Sequence, residues 1–364
     1  MSEQEALNII KELRNKIIHT KSQKLKRLYM IDLINLKELL AACYDKEIDE
    51  SEIYVSGVYE RTWNAIEKSE TNEPKQYIQL NDYTKALSNS CLKNFASFDF
   101  QQEIPTRIQL STKLLDELTM DFLSMMDNDT KEKYQDLASK VLISDIFEYG
   151  GICWNFYGIN RQVINLSSLY YQYNKNFSDI DFYKVFFHEL GHAVHLHKIN
   201  HMSKNENFIG AFDESISMLY EKMFLHFLES NNIDIRESLK TDCGMLLECS
   251  IVARAGALAV ENNDLNNDAT IPNKYFSKAY FDHYSDISRF FYNEYYVDLL
   301  PYFYGGLIST KIMDEFGSDY KNASKETINI LIESESKKKE IILDDIGLDK
   351  VPKGMVKTLV KIKK

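Results

Sequence analysis

Residues Val185–Leu196 read VFFHELGHAVHL, an apolar stretch with two histidines four positions apart. On a helix, positions i and i+4 lie on one face, so His188 and His192 can bind a single metal ion at about 2.0–2.1 Å. Glu189 follows the first histidine, where a glutamate can take a proton from a metal-activated water and later protonate the leaving amine. The pattern predicts a site for peptide hydrolysis with one zinc ion per chain. The alternative is a pair of core histidines with Glu189 facing solvent.

A catalytic zinc ion needs a third protein ligand, and Glu214 is the first candidate. It lies in the segment AFDESISMLYE at 211–221, whose pattern predicts a second helix. Glu214 and Glu221 fall seven positions apart on one face of that helix, so the first can bind the ion while the second supports it. A solvated charge is the alternative for Glu221, and Asp213 is the rival to Glu214 as ligand.

Further histidines follow the motif at His195, His197 and His201. The zinc peptidases with three histidine ligands have Gly three residues and His six residues after the second histidine, where this chain has His195 and Lys198. A single straight helix also cannot easily wrap His195 around the ion bound by the first two histidines. The sequence therefore predicts that these three histidines lie at the rim or surface.

The residues resemble the oligopeptidase F and thimet oligopeptidase family of zinc metallopeptidases. His188–His195 is similar to that family's HELGHAxH motif, and Glu214–Glu221 resembles its ExxSxxxE segment, which bears the third ligand. Gly150–Cys153, followed by VINL at 163–166, resembles the family's Gly-Gly/Ala-x-Cys segment and the strand before its zinc helix. The aromatic run Phe290–Tyr304, ending in two glycines, resembles its Tyr-rich segment. The resemblance implies a largely helical enzyme with a deep cleft, one zinc ion and cleavage of short peptides at internal bonds.

The chain departs from that family's pattern in two ways. Phe290 and Phe291 stand where the family has a His before the paired tyrosines that stabilise the oxyanion, and His283 lies out of register. The 187 residues before the motif are also fewer than the family commonly has, which implies a differently shaped cleft. The candidate oxyanion donors, of which Tyr302 or Tyr304 is favoured, are Tyr292, Tyr295, Tyr296, Tyr302 and Tyr304. One phenol there contributes a few kcal/mol to catalysis, and aromatic core packing is the alternative for each.

Composition and spacing predict a mainly α protein with a small sheet beside the active-site cleft. The chain has 364 residues, 44% of them hydrophobic, and only 5 Pro and 13 Gly. We expect an N-terminal helical region at 1–140 and a catalytic region at 141–364. Within the latter, helices are expected near 181–198 and 209–230.

Two short segments show strand signals. They are Arg107–Leu110 and Gln162–Leu166. The second is placed either to hydrogen-bond an extended peptide or to be a buried connector. The Gly150-Gly151 pair is expected to permit a turn or close packing rather than phosphate binding, because no P-loop pattern follows.

Charge and cysteine usage narrow the choice of partners and compartment. The net charge of −12 argues against nucleic acid as a partner. The start lacks a signal-like stretch, and no segment approaches the 18 or more apolar residues of a membrane span, so a cytoplasmic protein is expected. The 5 cysteines are odd in number and lack metal spacing, which favours free thiols.

Three hypotheses follow. The first is an endopeptidase that cuts oligopeptides, and the second is a dedicated processing protease for a signal or leader peptide. The third is a non-catalytic zinc-containing protein with a peptide-binding or regulatory role. Glu189 speaks against the third, because a water-activating glutamate has no purpose at a structural zinc site.

Overall fold

The computed structural model describes most of the chain. It covers residues 1–70, 79–95, 109–144, 150–167, 177–199, 212–265, 271–276 and 296–336, with a few isolated positions between 343 and 362. The protein is mainly helical with a small three-stranded sheet, and the predicted fold class is confirmed.

The described helices and strands follow one another along the chain, with single 3₁₀ turns at Ala138–Lys140 and Asn273–Tyr275. In order they are α1 (Glu3–His19), α2 (Gln23–Tyr44), α3 (Glu50–Ile53), α4 (Tyr59–Glu70), α5 (Asn81–Phe95), β1 (Gln109–Ser111), α6 (Thr112–Ser124), α7 (Asn128–Leu137), β2 (Leu142–Ser144), β3 (Gly151–Phe156), β4 (Arg161–Ser167), β5 (Phe177–Asp179), α8 (Ile180–Ile199), α9 (Glu214–Ser230), α10 (Arg236–Glu261), α11 (Tyr296–Phe316) and α12 (Tyr320–Ser336).

Residue contacts group the chain into two compact units. Unit 1 comprises Met1–Glu70 and Gln109–Phe208, and unit 2 comprises Thr71–Ile108 and Ile209–Lys364. This grouping does not follow the boundary at 140 that we expected from the sequence. One reason is α5, which comes early in the chain but packs against α10, where the Asn81 side chain donates a hydrogen bond to the Ala257 carbonyl.

The core of unit 1 begins with the α1–α2 pair. Ser2 and Glu5 form a capping box, in which each side chain accepts a hydrogen bond from the other residue's backbone N–H, and this arrangement starts α1. One face of α1 is fully buried at helical spacing, through Ala6, Ile10, Leu13 and Ile17. This stripe packs against α2 and continues into the sheet.

The sheet has two differently used faces. Trp154 and Phe156, at alternate positions of β3, join the apolar cluster of α1 and α2, as does Val163 opposite Trp154 on β4. Because side chains alternate along a strand, Gly151 and Cys153 face the other way, toward α8. The sheet therefore lies between an apolar core and the helix that carries the motif.

Strand β4 is the middle strand of this sheet. It pairs in parallel with β2 and antiparallel with β3, and residues 162–167 are buried. The hypothesis that Gln162–Leu166 receives a peptide is therefore wrong, because both edges of the strand are already paired, and the alternative of a buried connector holds. Of Arg107–Leu110, the last two residues lie in β1, which pairs with β5. Residues 107 and 108 lie outside the described part.

Helix α10 runs through the core of unit 2. It is 26 residues long, and its most apolar window has a mean hydropathy of 1.6, enough to cross a membrane by length and composition. The expectation that no segment approaches a membrane span is thus wrong for this helix. However, 67% of that window is buried inside the protein, against α5 and α11 among others. A core helix passes the same test, so the finding is weak evidence for a span.

Candidate metal centre

Helix α8 extends one residue beyond the predicted range at each end. It presents both motif histidines on one face. His188 Nε2 and His192 Nε2 lie 3.3 Å apart, and the rings meet edge to face with centroids 4.9 Å apart. This separation exceeds the usual range of about 2.7–3.2 Å for hydrogen bonds from N–H donors. The two nitrogens are close enough for both to bind one metal ion.

Helix α9 supplies the third member of the group. It begins at Glu214 itself, later than the predicted start near 209, and this carboxylate is only 7% exposed. The ligand atoms of His188, His192 and Glu214 all lie within 4.8 Å of one another, so the three side chains could bind a metal ion. Asp213, the rival candidate, precedes the helix and is not part of the group.

A serine one turn along α9 orients this carboxylate. Ser217 Oγ lies 2.8 Å from Glu214 Oε2 and 2.9 Å from the Glu214 carbonyl oxygen, and its single proton is shared between these two acceptors. The spacing of three places both residues on one helix face, as the sequence predicted, whereas the hydrogen bond between them was not predicted. Glu221, the predicted support, is buried on the same helix.

Gly305 of α11 packs directly against Glu214. A β-carbon at Gly305 would lie 2.8 Å from the backbone carbon and β-carbon of Glu214 and 3.0 Å from its carbonyl oxygen. Helix α11 can approach the first turn of α9 this closely only because residue 305 has no side chain. This contact was not predicted from the sequence.

Glu189 is buried, with 4% of its surface exposed. The alternative of core histidines with a solvent-facing Glu189 is therefore wrong. Gly151 of β3 lies against the glutamate, since a β-carbon there would be 3.0 Å from Glu189 Cγ and Oε1 and 2.7 Å from Leu166 Cδ2. Its neighbour Gly150 has a φ of 127°, a conformation that favours glycine. The expectation of a turn or close packing at this pair is confirmed as close packing at Gly151.

Strand β3 is an edge strand in the described part of the chain. Residues that face each other in an antiparallel pair alternate between positions that are hydrogen-bonded across the pair and positions that are not. Gly150 is at a hydrogen-bonded position, because its carbonyl accepts a hydrogen bond from the backbone N–H of Ser167. Gly151 and Cys153 therefore turn their backbone N–H and C=O groups away from β4. The next outward carbonyl, that of Asn155, accepts a hydrogen bond from Asn35 Nδ2 at 3.0 Å. The outward groups nearest Glu189 are those of Gly151 and Cys153.

His195 does not lie at the surface, contrary to our expectation. It is 4% exposed, although the two motif histidines on the preceding turns of α8 are only partly buried. Burial, with His192 beside it, lowers the pKa of His195 to about 3, so the ring is neutral. His197 is partly buried, and His201 lies outside the described residues.

The tyrosines proposed as oxyanion donors lie in different environments. Tyr304 is fully buried, and its hydroxyl lies 2.7 Å from Thr84 Oγ1. Thr84 donates its own proton to the Leu80 carbonyl, so Tyr304 is the donor in this pair and its proton is already used. This environment argues against Tyr304 as an oxyanion donor. Tyr302 is partly exposed and remains a candidate. The other candidate side chains lie outside the described part, as does His283; they are Tyr292, Tyr295 and Tyr296.

All five cysteines are free thiols, as expected. Burial raises the pKa of Cys91 and of Cys243 to about 12, which makes both poor nucleophiles at neutral pH. Burial, and then the Glu189 carboxylate, also raise the pKa of Cys153. A cysteine nucleophile is therefore not supported at these positions.

Comparisons with known proteins add little to this geometry. No family model matches the chain, and no curated protein sequence matches it significantly. A crystal structure of a proposed peptidase from Chlamydophila abortus is similar, with 15% sequence identity and a TM-score of 0.48. The match covers 93% of this chain but 61% of that one, so this chain spans less than two thirds of its neighbour's length. A similarity of this size does not establish a family.

Proposed function

We propose that this protein is a zinc-dependent endopeptidase that hydrolyses internal peptide bonds of oligopeptides. The observation that carries the proposal is the group of His188, His192 and Glu214, whose ligand atoms lie within 4.8 Å of one another beside a buried glutamate. Two imidazoles and one carboxylate form a donor set of catalytic zinc sites, which leave a position open for water.

The spacing of the two histidines supports zinc as the metal. Tetrahedral zinc with Zn–N bonds of about 2.0–2.1 Å holds two nitrogens about 3.3–3.4 Å apart. His188 Nε2 and His192 Nε2 lie 3.3 Å apart. The side chains thus already have the separation that the ion requires.

Glu189 would carry the proton in the reaction. When bound, zinc would polarise the peptide carbonyl and lower the pKa of the attacking water. Glu189 would accept a proton from that water and deliver it to the leaving nitrogen. Gly151 would leave room for the glutamate in this position, because a β-carbon there would lie 3.0 Å from Glu189 Cγ and Oε1. Tyr302 remains the candidate for oxyanion stabilisation among the described side chains.

The outer edge of β3 would position the substrate backbone. Gly151 and Cys153 offer outward N–H and C=O groups to an extended peptide, which could add to the sheet as a further strand. Such pairing uses only backbone hydrogen bonds and does not depend on the side chains of the substrate. It therefore favours peptides of varied sequence over other amides.

The test compares the wild type with Glu189→Gln in a mixed peptide library read by mass spectrometry, after zinc is measured in each protein. Glu248→Gln is a matched control, because Glu248 is a largely buried glutamate on α10 outside the metal group. We expect the wild type and the control to cut, and Glu189→Gln to hold zinc while losing about 1,000-fold in rate.

Other outcomes would change the proposal. One zinc ion per chain with no cleavage by any protein would favour the non-catalytic peptide-binding or regulatory alternative. Cleavage of a single sequence in the library would favour a dedicated processing protease.

A further inference from the structure

Unit 2 contains a cavity of about 150 Å³ that the metal centre does not use. One face each of α9, α10 and α11 lines it, with residues at helical spacing on every helix. Leu225, Ile235 and Leu246 are buried apolar lining residues. The charged lining residues are more exposed and form a rim; they are Lys222, Glu229, Asp242 and Asp314.

The rim carries charges of both signs. Within the described residues, neither Lys222 nor Asp314 makes an ion pair, although both line the same cavity. Burial raises the pKa of Cys243, Asp242 adds to this rise and the Lys222 ammonium opposes it, so both charged groups lie near this wall. His226 bonds to the Tyr320 hydroxyl at 2.9 Å. A cation and a carboxylate thus remain available across an apolar pocket.

Size limits what the cavity can hold. Drug-sized ligands occupy pockets of about 300–1,000 Å³, whereas a cavity of about 150 Å³ accommodates a group the size of benzene. That volume suits one side chain of the size of leucine, methionine or phenylalanine.

We propose that this cavity binds a free amino acid with an apolar side chain. Lys222 takes its carboxylate, Asp314 and Asp242 take its ammonium group, and the apolar wall formed with Leu225 and Leu246 takes the side chain. Each charge of the ligand then meets the opposite charge, while the side chain leaves water. This inference does not depend on peptide hydrolysis, since it concerns binding alone.

The test is isothermal titration calorimetry on the full chain with L-leucine as the probe. Leucinamide lacks the carboxylate, 4-methylpentanoic acid lacks the ammonium group, and L-alanine lacks most of the side chain. Lys222→Met and Asp314→Asn remove the two rim charges, and Lys325→Met removes an exposed lysine on α12 as a control. Thermal melts confirm that each variant is folded, and His188→Ala checks that leucine does not bind at the metal centre.

We expect L-leucine to bind the wild type, Lys325→Met and His188→Ala alike. Each analogue and each rim variant should lose about tenfold or more in affinity, because one charged contact or the apolar contact is missing. The proposal is overturned if no apolar amino acid binds at millimolar concentration. It also fails if leucinamide binds as tightly as leucine, or if both rim variants bind leucine normally.

Discussion

Two carboxylates of the candidate centre are each packed against a glycine, but the atoms at the two contacts differ. At Gly151 a β-carbon would meet side-chain atoms of Glu189 and Leu166, which can rotate. At Gly305 it would meet backbone atoms of Glu214, which cannot move without the helix. The first contact therefore controls the position of one side chain, whereas the second controls the approach of two helices.

The largest effect should follow from Gly305→Ala. The new methyl group would lie within 3.0 Å of the Glu214 backbone, so α11 must shift away from α9 or Glu214 must leave its place. Alanine favours a helix by about 1 kcal/mol over glycine, but overpacking of this kind costs more, and we expect a net loss of about 3 kcal/mol in unfolding free energy. Zinc affinity should fall as well. Chemical denaturation and zinc titration measure both.

Gly306→Ala is the matched control for that variant. A β-carbon at Gly306 would lie 3.0 Å from Leu246 Cδ1 and 3.4 Å from Met218 Cε, the ends of flexible side chains. We expect stability within about 1 kcal/mol of the wild type. If the two variants lose stability equally, the distinction between backbone and side-chain contacts is wrong for α11.

Gly151→Ala should affect the reaction more than the fold. The methyl group would displace the Glu189 carboxylate, and a misplacement of about 1 Å can cost about 100-fold in rate. Zinc binding should stay normal, because His188, His192 and Glu214 are not touched. Peptide cleavage rates with zinc occupancy measure this. Loss of zinc together with activity would contradict the assignment, and Ile152→Val, on the opposite face of β3, serves as the control.

A third carboxylate packed against a glycine sharpens the comparison, because it lies outside the centre. A β-carbon at Gly158 would be 2.7 Å from Asp32 Oδ2, in the turn between β3 and β4. Burial raises the pKa of Asp32 to about 7, although backbone N–H groups of residues 157–159 and the charge of Lys16 oppose the rise. Because Asp32 is not part of the metal group, we expect this carboxyl to affect the stability of the fold and not the metal centre.

The pH dependence of stability tests this assignment. The folded protein holds the Asp32 proton up to about pH 7, whereas the unfolded chain releases it near its ordinary pKa of 3.8. Stability from this group is therefore present at low pH and is lost as pH rises. We expect the unfolding free energy of the wild type to fall by about 2 kcal/mol more than that of Asp32→Asn between pH 5 and 8. Equal slopes for the two proteins would contradict the raised pKa.

Ser217→Ala should weaken zinc binding without harming the fold. Ser217 donates a hydrogen bond of 2.8 Å to the carboxylate of Glu214, and loss of such a supporting bond costs about tenfold in metal affinity. Ser215→Ala is the control, since Ser215 is buried on the same helix but does not contact that carboxylate through its hydroxyl in the described residues. Zinc titration against a chelator distinguishes them. Ser217→Thr, which keeps the hydroxyl, should restore the affinity.

The parts of the centre that were predictable from sequence are those set by helix geometry. The spacing of four between His188 and His192 places both rings on one face wherever the helix lies. Glu214 and Ser217 share a face for the same reason. The Gly150-Gly151 pair also predicted close packing, but the sequence did not show that Glu189 and Leu166 are the residues packed against Gly151.

The rest depends on which elements meet, and spacing within one segment does not report that. His195 was expected at the surface because a single helix cannot easily place a third histidine around the ion, although the apolar residues beside it already indicated a buried helix. The segment 162–166 has the pattern of a strand whether it is central or at an edge, and only pairing with β2 and β3 decides between them. The contact of Gly305 with Glu214 joins positions about 90 residues apart, so it could be seen only in the fold.

The smallest effect is expected for Tyr304→Phe. Tyr304 donates its proton to Thr84 Oγ1 in the core. Removal of the Tyr304 hydroxyl should therefore lower the unfolding free energy by about 1 kcal/mol. Cleavage rates should stay within about twofold of the wild type, because a hydroxyl whose proton is held in the core has none to offer an oxyanion, whereas loss of a true donor costs about 100-fold or more. Thr84→Val removes the acceptor and should give a similar loss of stability. A large fall in rate with unchanged stability would show that Tyr304 leaves Thr84 during the reaction, and would return it to the group of catalytic candidates.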